Sequence, residues 1–298
     1  MNSQFVETIL RYFTVAFEHF VLNPYFYAFL GVIFLLERFW PVDARQPFFS
    51  KGMIQDFTWY LVNGTASFAV IPLYLGLLQS VYDAHLSFLT VQGVANLPQP
   101  LLILFAVLCG DCLAYFQHYL RHRVAFFWPF HAVHHSQVEL NIFTNHRFHI
   151  VDRFVAKTIV FLPLMAFQLN VVDILALEIV KKWYTRLYHA NVRSNFGILR
   201  YVLVTPQSHR IHHSRDPRHH ERNYGFLFSI WDHLFGTQYR NYDEYPPCGI
   251  DDERFPVETR VRGLATLKNL VVQTLYPFRA LFNREARDGR NRSLQSLQ

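Results

Sequence analysis

Three segments, His118-Tyr-Leu-Arg-His122, His131-Ala-Val-His134-His135 and His209-Arg-Ile-His212-His213, decide how this chain is read. On a helix, side chains at i and i+4 share one face with Cβ atoms about 5–6 Å apart, and i+3 falls beside them. Each segment therefore presents two or three imidazoles from one side of one helix. Converging, the three would supply eight nitrogen ligands, enough for two metal ions. Of the 16 histidines, only His19 and His85 precede His118, and none follows His233. His19, His85 and His233 stand alone and are read as structural. His219-His220 lies beyond the Asp216-Pro217 break, where the helical register is lost.

Outward from these segments, composition points to the membrane. Charged residues make up 17% of the 298, against roughly 25% in ordinary soluble domains. The 30 Phe and 16 Tyr exceed what a soluble core of this size needs, and the apolar residues fall in long blocks at 25–36, 56–80, 99–117 and 154–180. The first is short for a span and needs its flanks. A loop with Arg45 and Lys51 separates the first two blocks, the loop from Asp83 to Pro98 has no Lys or Arg, and Arg121-His-Arg123 follows the third. Cytoplasmic loops are enriched in Lys and Arg, so three crossings end in the cytoplasm at Arg121. Residues 5–22 and 263–282 are amphipathic enough to lie in the interface.

The block 154–180 poses a geometric problem. A single crossing there would leave the second and third histidine segments about 30 Å apart on opposite faces. Two full crossings need about 40 residues at 1.5 Å per residue, and the block is shorter. Pro163 and Gln168-Leu-Asn170 interrupt it. The expectation is a helical hairpin that dips part-way into the membrane and packs on the other helices, since irregular backbone at that depth must be covered by protein.

Net charge is +6, with basic residues gathered late: Arg260, Arg262, Lys268, Arg279, Arg284, Arg287, Arg290 and Arg292. Beside membrane segments such a tail contacts anionic headgroups rather than nucleic acid. Cys109-Gly-Asp-Cys112 has redox spacing but sits in an apolar run without a βαβ pattern, so these are read as structural thiols. Glu7, Arg11, Glu18 and His19 interrupt the first 23 residues, and no cleavable signal peptide is expected.

Imidazole sites suit zinc, copper, iron or nickel. A structural zinc site needs four ligands and is usually rich in cysteine, so this many histidines suit a two-metal centre. An iron pair held by neutral ligands keeps its Lewis acidity and open positions for dioxygen. Such a centre attacks unactivated C–H bonds, which ordinary side chains cannot. Its place beside the membrane suits a lipid substrate.

At the level of motifs the chain resembles the fatty acid hydroxylase/sterol desaturase superfamily of membrane non-haem di-iron oxygenases. The resemblance rests on Asp111-x3-Tyr115-x2-His118-x3-His122, His131-x2-His134-His135-Ser136 and Thr205-Pro206-x2-His209-Arg210-x-His212-His213. It continues through Asn223-Tyr224-Gly225 and Trp231-Asp-x-x-Phe-Gly-Thr237, covering about 110–240. It implies iron ligation by His118, His122, His131, His134, His135, His209, His212 and His213, with His189 of Tyr188-His-Ala-Asn191 as a ninth ligand. His149, in Arg147-Phe-His149, departs from the pattern because Ile150 stands where a proline often follows; it is placed beside the metals or the substrate rather than among the ligands. His233 stands where an arginine is common, and no role is assigned to it, nor to His146. Asp111, Asn141, Asp152, Asn223 and Asp232 are candidates for orienting the imidazoles, or equally for capping and solvated roles. His149 and Asn223 are carried forward as catalytic candidates.

The expected fold is all-α, a polytopic membrane helical bundle with a cytoplasmic histidine-rich helical cap. One unit spans 1–298, with membrane helices in 1–98, the motif core at 110–240 and a basic tail at 241–298. The expected activity is hydroxylation or desaturation of a sterol, fatty acyl or ether-lipid C–H bond by two iron ions with O2 as co-substrate. No GxGxxG and no haem module occur, so a separate cytochrome b5- or ferredoxin-type system supplies electrons. A bacterial inner membrane is preferred to the endoplasmic reticulum, with the metals on the cytoplasmic side. The rival is a membrane metal-binding or metal-transport protein without oxygenase activity. Transport predicts ionisable residues within the spans, whereas most of these histidines fall outside the apolar blocks.

Overall fold

The computed structural model describes residues 23–169 and 171–282, with Glu7, Leu10, Thr14, Phe17, Glu18 and Leu22 ahead of them. The interfacial helix expected over 5–22 lies almost wholly outside the described residues, as do the arginines from Arg284 onward. Among the described residues the fold is helical. Strand pairing is confined to isolated bridges at Pro41–Val192, Leu203–Phe228 and Ser214–Cys248.

Helix α1 (Pro24–Phe39) starts where Asn23 Oδ1 accepts the Tyr25 N–H and Pro24 fills the first turn. Ser50 caps α2 (Lys51–Val81), which continues through Pro72. Then come α3 (Gln99–Arg123), α4 (Trp128–His135), α5 (Ile150–Met165) and α6 (Val171–His189). The short α7 (Pro206–His212) and α8 (Ile230–Leu234) lead to α9 (Leu264–Phe282).

Two stretches, Lys51–Leu89 and Gln99–Arg123, are long and apolar enough to cross a membrane. At 16 residues, α1 reaches about 24 Å, short of a hydrocarbon core of about 30 Å. The exposed faces are apolar: Tyr25, Val32 and Leu35 on α1, Leu61, Leu73 and Leu77 on α2, Leu101 and Leu104 on α3. Helix α9 turns Leu264, Leu267, Val271, Leu275 and Phe282 outward while burying Thr266 and Gln273. That inversion is what an interfacial helix requires. Its polar face is matched inside, where Trp59 Nε1 donates to Gln273 Oε1 at 3.1 Å and Gln55 Nε2 donates to the Thr266 carbonyl at 3.2 Å.

The region 150–189 is a helical hairpin, α5 and α6 joined by a turn over 166–169. Its tip rests on other helices: Leu164, Met165 and Leu169 pack with Leu75, Leu78 and Tyr82 of α2 and its extension, and with Ala114 of α3. The Val91 N–H donates to the Ala166 carbonyl at 2.7 Å. The hairpin is longer than the apolar block that announced it. The helices occupy about the 40 residues two crossings need, because they enclose Asp152, Arg153, Lys157, Glu178, Lys181, Lys182 and Arg186. Lys157 and Lys181 both bond Glu178, at 2.7 and 3.0 Å, which is how so many charges are held inside. Both feet of the hairpin, His149 and His189, stand on the side of the histidine segments.

Candidate metal centre

The nine histidines taken from the sequence as ligands fall into two groups. His118, His122, His131, His135 and His212 form one; His134, His189, His209 and His213 form the other. Within each group the nitrogens on offer lie within 4.8 Å of one another, and all nine residues are buried. The groups adjoin, with the His135 and His213 rings stacked at 4.2 Å between centroids.

Local sequence explains the delivery. His118 and His122 stand one turn apart on α3. On α4, His131 and His135 face one group while His134 faces the other. Thr205 caps α7 in a reciprocal arrangement with Ser208, with Pro206 in the first turn. His209 and His213 then point to the second group and His212 to the first. His189, the last residue of α6, arrives from the hairpin.

Five of the nine rings are turned by what the far nitrogen meets. His118 Nδ1 lies 2.9 Å from the Tyr224 carbonyl, His134 Nδ1 3.1 Å from that of Arg147, His189 Nδ1 2.7 Å from that of Thr185, and His212 Nδ1 2.8 Å from that of Arg222. His131 Nδ1 lies 3.3 Å from Asp152 Oδ2, itself held by Arg121 at 2.7 Å. Donation by Nδ1–H to these acceptors leaves Nε2 as the inward donor, the usual way a protein fixes a ligating imidazole. The Nε2 atoms of His131, His135 and His212 are buried with no hydrogen-bond partner among the described residues. Three such atoms are costly at about 1–3 kcal/mol each unless a ligand satisfies them. In the second group, Nε2 of His189 lies 3.1 Å from that of His134 and 2.8 Å from that of His209. Burial holds His131 down to about 4 and His212 to about 3, and pushes His134, His135, His209 and His213 well below the ordinary imidazole value. Neutral imidazole is the form that binds metal, so the residues present fit a pair of metal ions.

Other motif residues brace this arrangement. Asp111 accepts from the Leu227 and Phe228 N–H groups and from Trp231 Nε1, all at 3.0 Å, tying the loop after Gly225 to α3. Asp232 accepts from the Tyr224 and Gly225 N–H groups and from Thr237 Oγ1, fixing the carbonyl that orients His118. A Cβ on Gly225 would lie 2.7 Å from Asp232 Oδ2 and 2.8 Å from the Phe228 carbonyl. Beneath α4, the fully buried Arg147 bridges Asp56 and Glu258 while its own carbonyl receives His134.

Of the five residues considered for orienting imidazoles, Asp152 touches one. Asn141 bonds Asp56, and Asp111 and Asp232 act through backbone. Asn223 donates to the Ser208 carbonyl and accepts from the Tyr239 N–H, tying α7 to the chain after Thr237 from outside both groups. His149 is likewise outside them: its Nδ1 accepts the Val151 N–H at the start of α5, and its ring lies between Phe130 and Phe278. His219 sits with Asp216 and Glu244, apart from the nine. Sequence reasoning gave no place in the site to Arg121, read only as a loop charge, or to Arg147, named only within Arg147-Phe-His149. The carbonyl partners carry no sequence signature.

A cavity of about 420 Å³ adjoins the histidines, with His118, His131, His134, His189 and His209 in its wall. Leu61 and Thr65, exposed on α2, share that wall.

Residues 103–237 match the family model described as fatty acid hydroxylase. An alkylglycerol monooxygenase of Caenorhabditis elegans is 28% identical over 180 residues, 60% of this chain and 33% of that protein. The ornithine lipid hydroxylase OlsE of Rhizobium tropici is 34% identical over 137 residues, 45% of this chain and 41% of its own. The human alkylglycerol monooxygenase is 33% identical over 123 residues, 41% of this chain and 27% of its own. The chain thus spans less than half the length of these relatives. No solved structure matches.

Proposed function

We propose, for a chain that belongs through residues 103–237 to the fatty acid hydroxylase superfamily, a membrane di-iron oxygenase that hydroxylates a lipid. His118, His122, His131, His135 and His212 would hold one iron, and His134, His189, His209 and His213 the other. The pair would supply O2 activation strong enough for an unactivated C–H bond, which side chains alone lack. The protein's own part is to position and to shield. The Nδ1 acceptors aim five of the rings, burial keeps the rings neutral and excludes water, and the cavity wall brings the target carbon against the imidazoles. Desaturation is the alternative outcome of the same site. Electrons come from a separate cytochrome b5- or ferredoxin-type donor, and the spans set the centre at the cytoplasmic face of the membrane.

The observation that carries this reading is nine buried imidazoles in two groups beside a cavity whose wall reaches exposed residues of α2, a helix long and apolar enough to cross a membrane. The relatives' names, a hydroxylase of ornithine lipid and monooxygenases of alkylglycerol, agree with a polar lipid as substrate. The test is metal content and Mössbauer spectroscopy of detergent-purified protein from iron-supplied cells. About two irons per chain with a coupled signature supports the oxygenase. Stoichiometric zinc that iron does not displace returns the chain to metal binding or transport.

A further inference from the structure

Beyond α7 the chain gathers a second, smaller set of metal-ligating side chains. Asp216, His219 and Glu244 each offer an atom within 4.8 Å of the others. The short turn Pro217–His219 opens at Asp216, whose Oδ1 accepts the Arg218 N–H at 2.9 Å, and it carries His219 round beside Asp216. Glu244 arrives from the chain after Thr237. His219 and Glu244 each have one side-chain atom held by the protein and another left pointing inward. His219 Nδ1 lies 2.8 Å from Ser214 Oγ. Its Nε2 is buried with no hydrogen-bond partner among the described residues, in a side chain with no exposure to solvent. Glu244 Oε2 accepts from Tyr239 Oη at 2.8 Å and from Asn241 Nδ2 at 3.2 Å, which leaves Oε1 for the cluster. Such outer partners are what aim imidazole and carboxylate ligands at an ion. His219 Nε2 and Glu244 Oε1 stand 3.2 Å apart, close to the edge of about 3.3–3.6 Å between two ligand atoms of tetrahedral zinc.

We propose that Asp216, His219 and Glu244 form a metal site separate from the nine histidines, one that takes zinc. A cation already sits between the carboxylates: Arg218 Nη2 lies 2.6 Å from Asp216 Oδ2 and 3.1 Å from Glu244 Oε1. The guanidinium matches the two carboxylates and leaves the buried imidazole nitrogen unmatched, which is costly. A divalent ion would satisfy all three, and the Arg218 side chain, 67% exposed, can withdraw into water. Calcium and magnesium prefer all-oxygen shells, whereas an imidazole among carboxylates suits zinc. Three protein ligands leave a fourth position for water. The ion would tie the segment that follows His212 and His213 to the chain at 239–244, bracing α7 from outside the histidine groups. The site stands whether or not the nine histidines hold iron, so it does not rest on the oxygenase reading.

The test is zinc titration of the full-length, iron-loaded protein in detergent, with zinc and iron counted per chain after gel filtration. X-ray absorption at the zinc edge reads the shell. The expected result is about one zinc per chain with a single imidazole and otherwise oxygen neighbours at about 2.0–2.2 Å, iron content unchanged and excess magnesium not competing. His219→Gln and Glu244→Gln should each weaken zinc binding at least about tenfold, about 1.4 kcal/mol, and leave iron in place. Arg218→Gln, at an exposed position, should tighten it by a similar factor, because the competing guanidinium is gone; a plain ion pair between Arg218 and its carboxylates gives no such gain. Wild-type protein that takes up no zinc, a measurement that needs no variant, overturns the proposal. So does a shell of several imidazoles, which would place the zinc among the nine histidines, and so does Arg218→Gln protein that binds zinc no more tightly than wild type.

Discussion

At the scale of single residues, the spacing of histidines carried more information than any other feature, because i, i+3 and i+4 positions share a helix face whatever surrounds them. Replacing His134 or His212 with Ala removes one nitrogen from each group in turn. Each variant should lose at least half its iron and fall about 100-fold or more in lipid oxidation while still inserting; full metal and turnover in both would defeat the shared centre. Asp152→Asn is the subtler test. It keeps the shape but weakens the acceptor opposite His131, and the expected loss is about 10–100-fold in metal affinity, read by competition with a chelator of known strength. An unchanged affinity would mean that Asp152 serves only to neutralise Arg121. The partners of four further rings were not legible. They are carbonyls of Arg147, Thr185, Arg222 and Tyr224, and every residue type offers a carbonyl.

At the scale of elements, sequence placed the hairpin and the outward apolar face of α9, but not the hairpin's length. Charge normally ends an apolar segment, so helices that carry eight charged residues read as loop from hydropathy alone. Partners in the fold, Glu178 between Lys157 and Lys181 above all, make those charges tolerable. The loop 223–237 shows the same dependence. Its motif residues act as props for His118, through Asp111, Asp232 and the close approach at Gly225. Gly225→Ala should cost about 1–3 kcal/mol by overpacking against Asp232 and Phe228, measured by denaturant or thermal unfolding. It should also weaken metal binding, since the Tyr224 carbonyl moves with its neighbour. A neutral effect on both would show that the loop has room to shift.

At the scale of the whole molecule, the centre is a staple between elements remote in sequence, joining α3, α4, the foot of α6 and α7. Metal bound there should therefore stabilise the fold; at free metal 100–1,000 times Kd the gain is about 3–4 kcal/mol. Stripping with a chelator should lower the thermal midpoint by several degrees, and re-addition of iron should restore it. Topology is tested by cysteines on the exposed residues Val138, Ile198 and Phe88. The first two should label from one side of the membrane and Phe88 from the other; opposite labelling of Val138 and Ile198 would break the hairpin arrangement. The sequence by itself determined the helical class, the apolar character of the outer surface and the three histidine segments with their eight imidazoles, since periodicity and hydropathy are local properties that survive without tertiary context; His189 came from the motif resemblance alone. Only the tertiary structure decided how those nine divide between two groups, which carbonyls turn them and which cations share their cavity. Each of these is a contact between segments tens of residues apart, and no local pattern records the distance at which two segments come to rest.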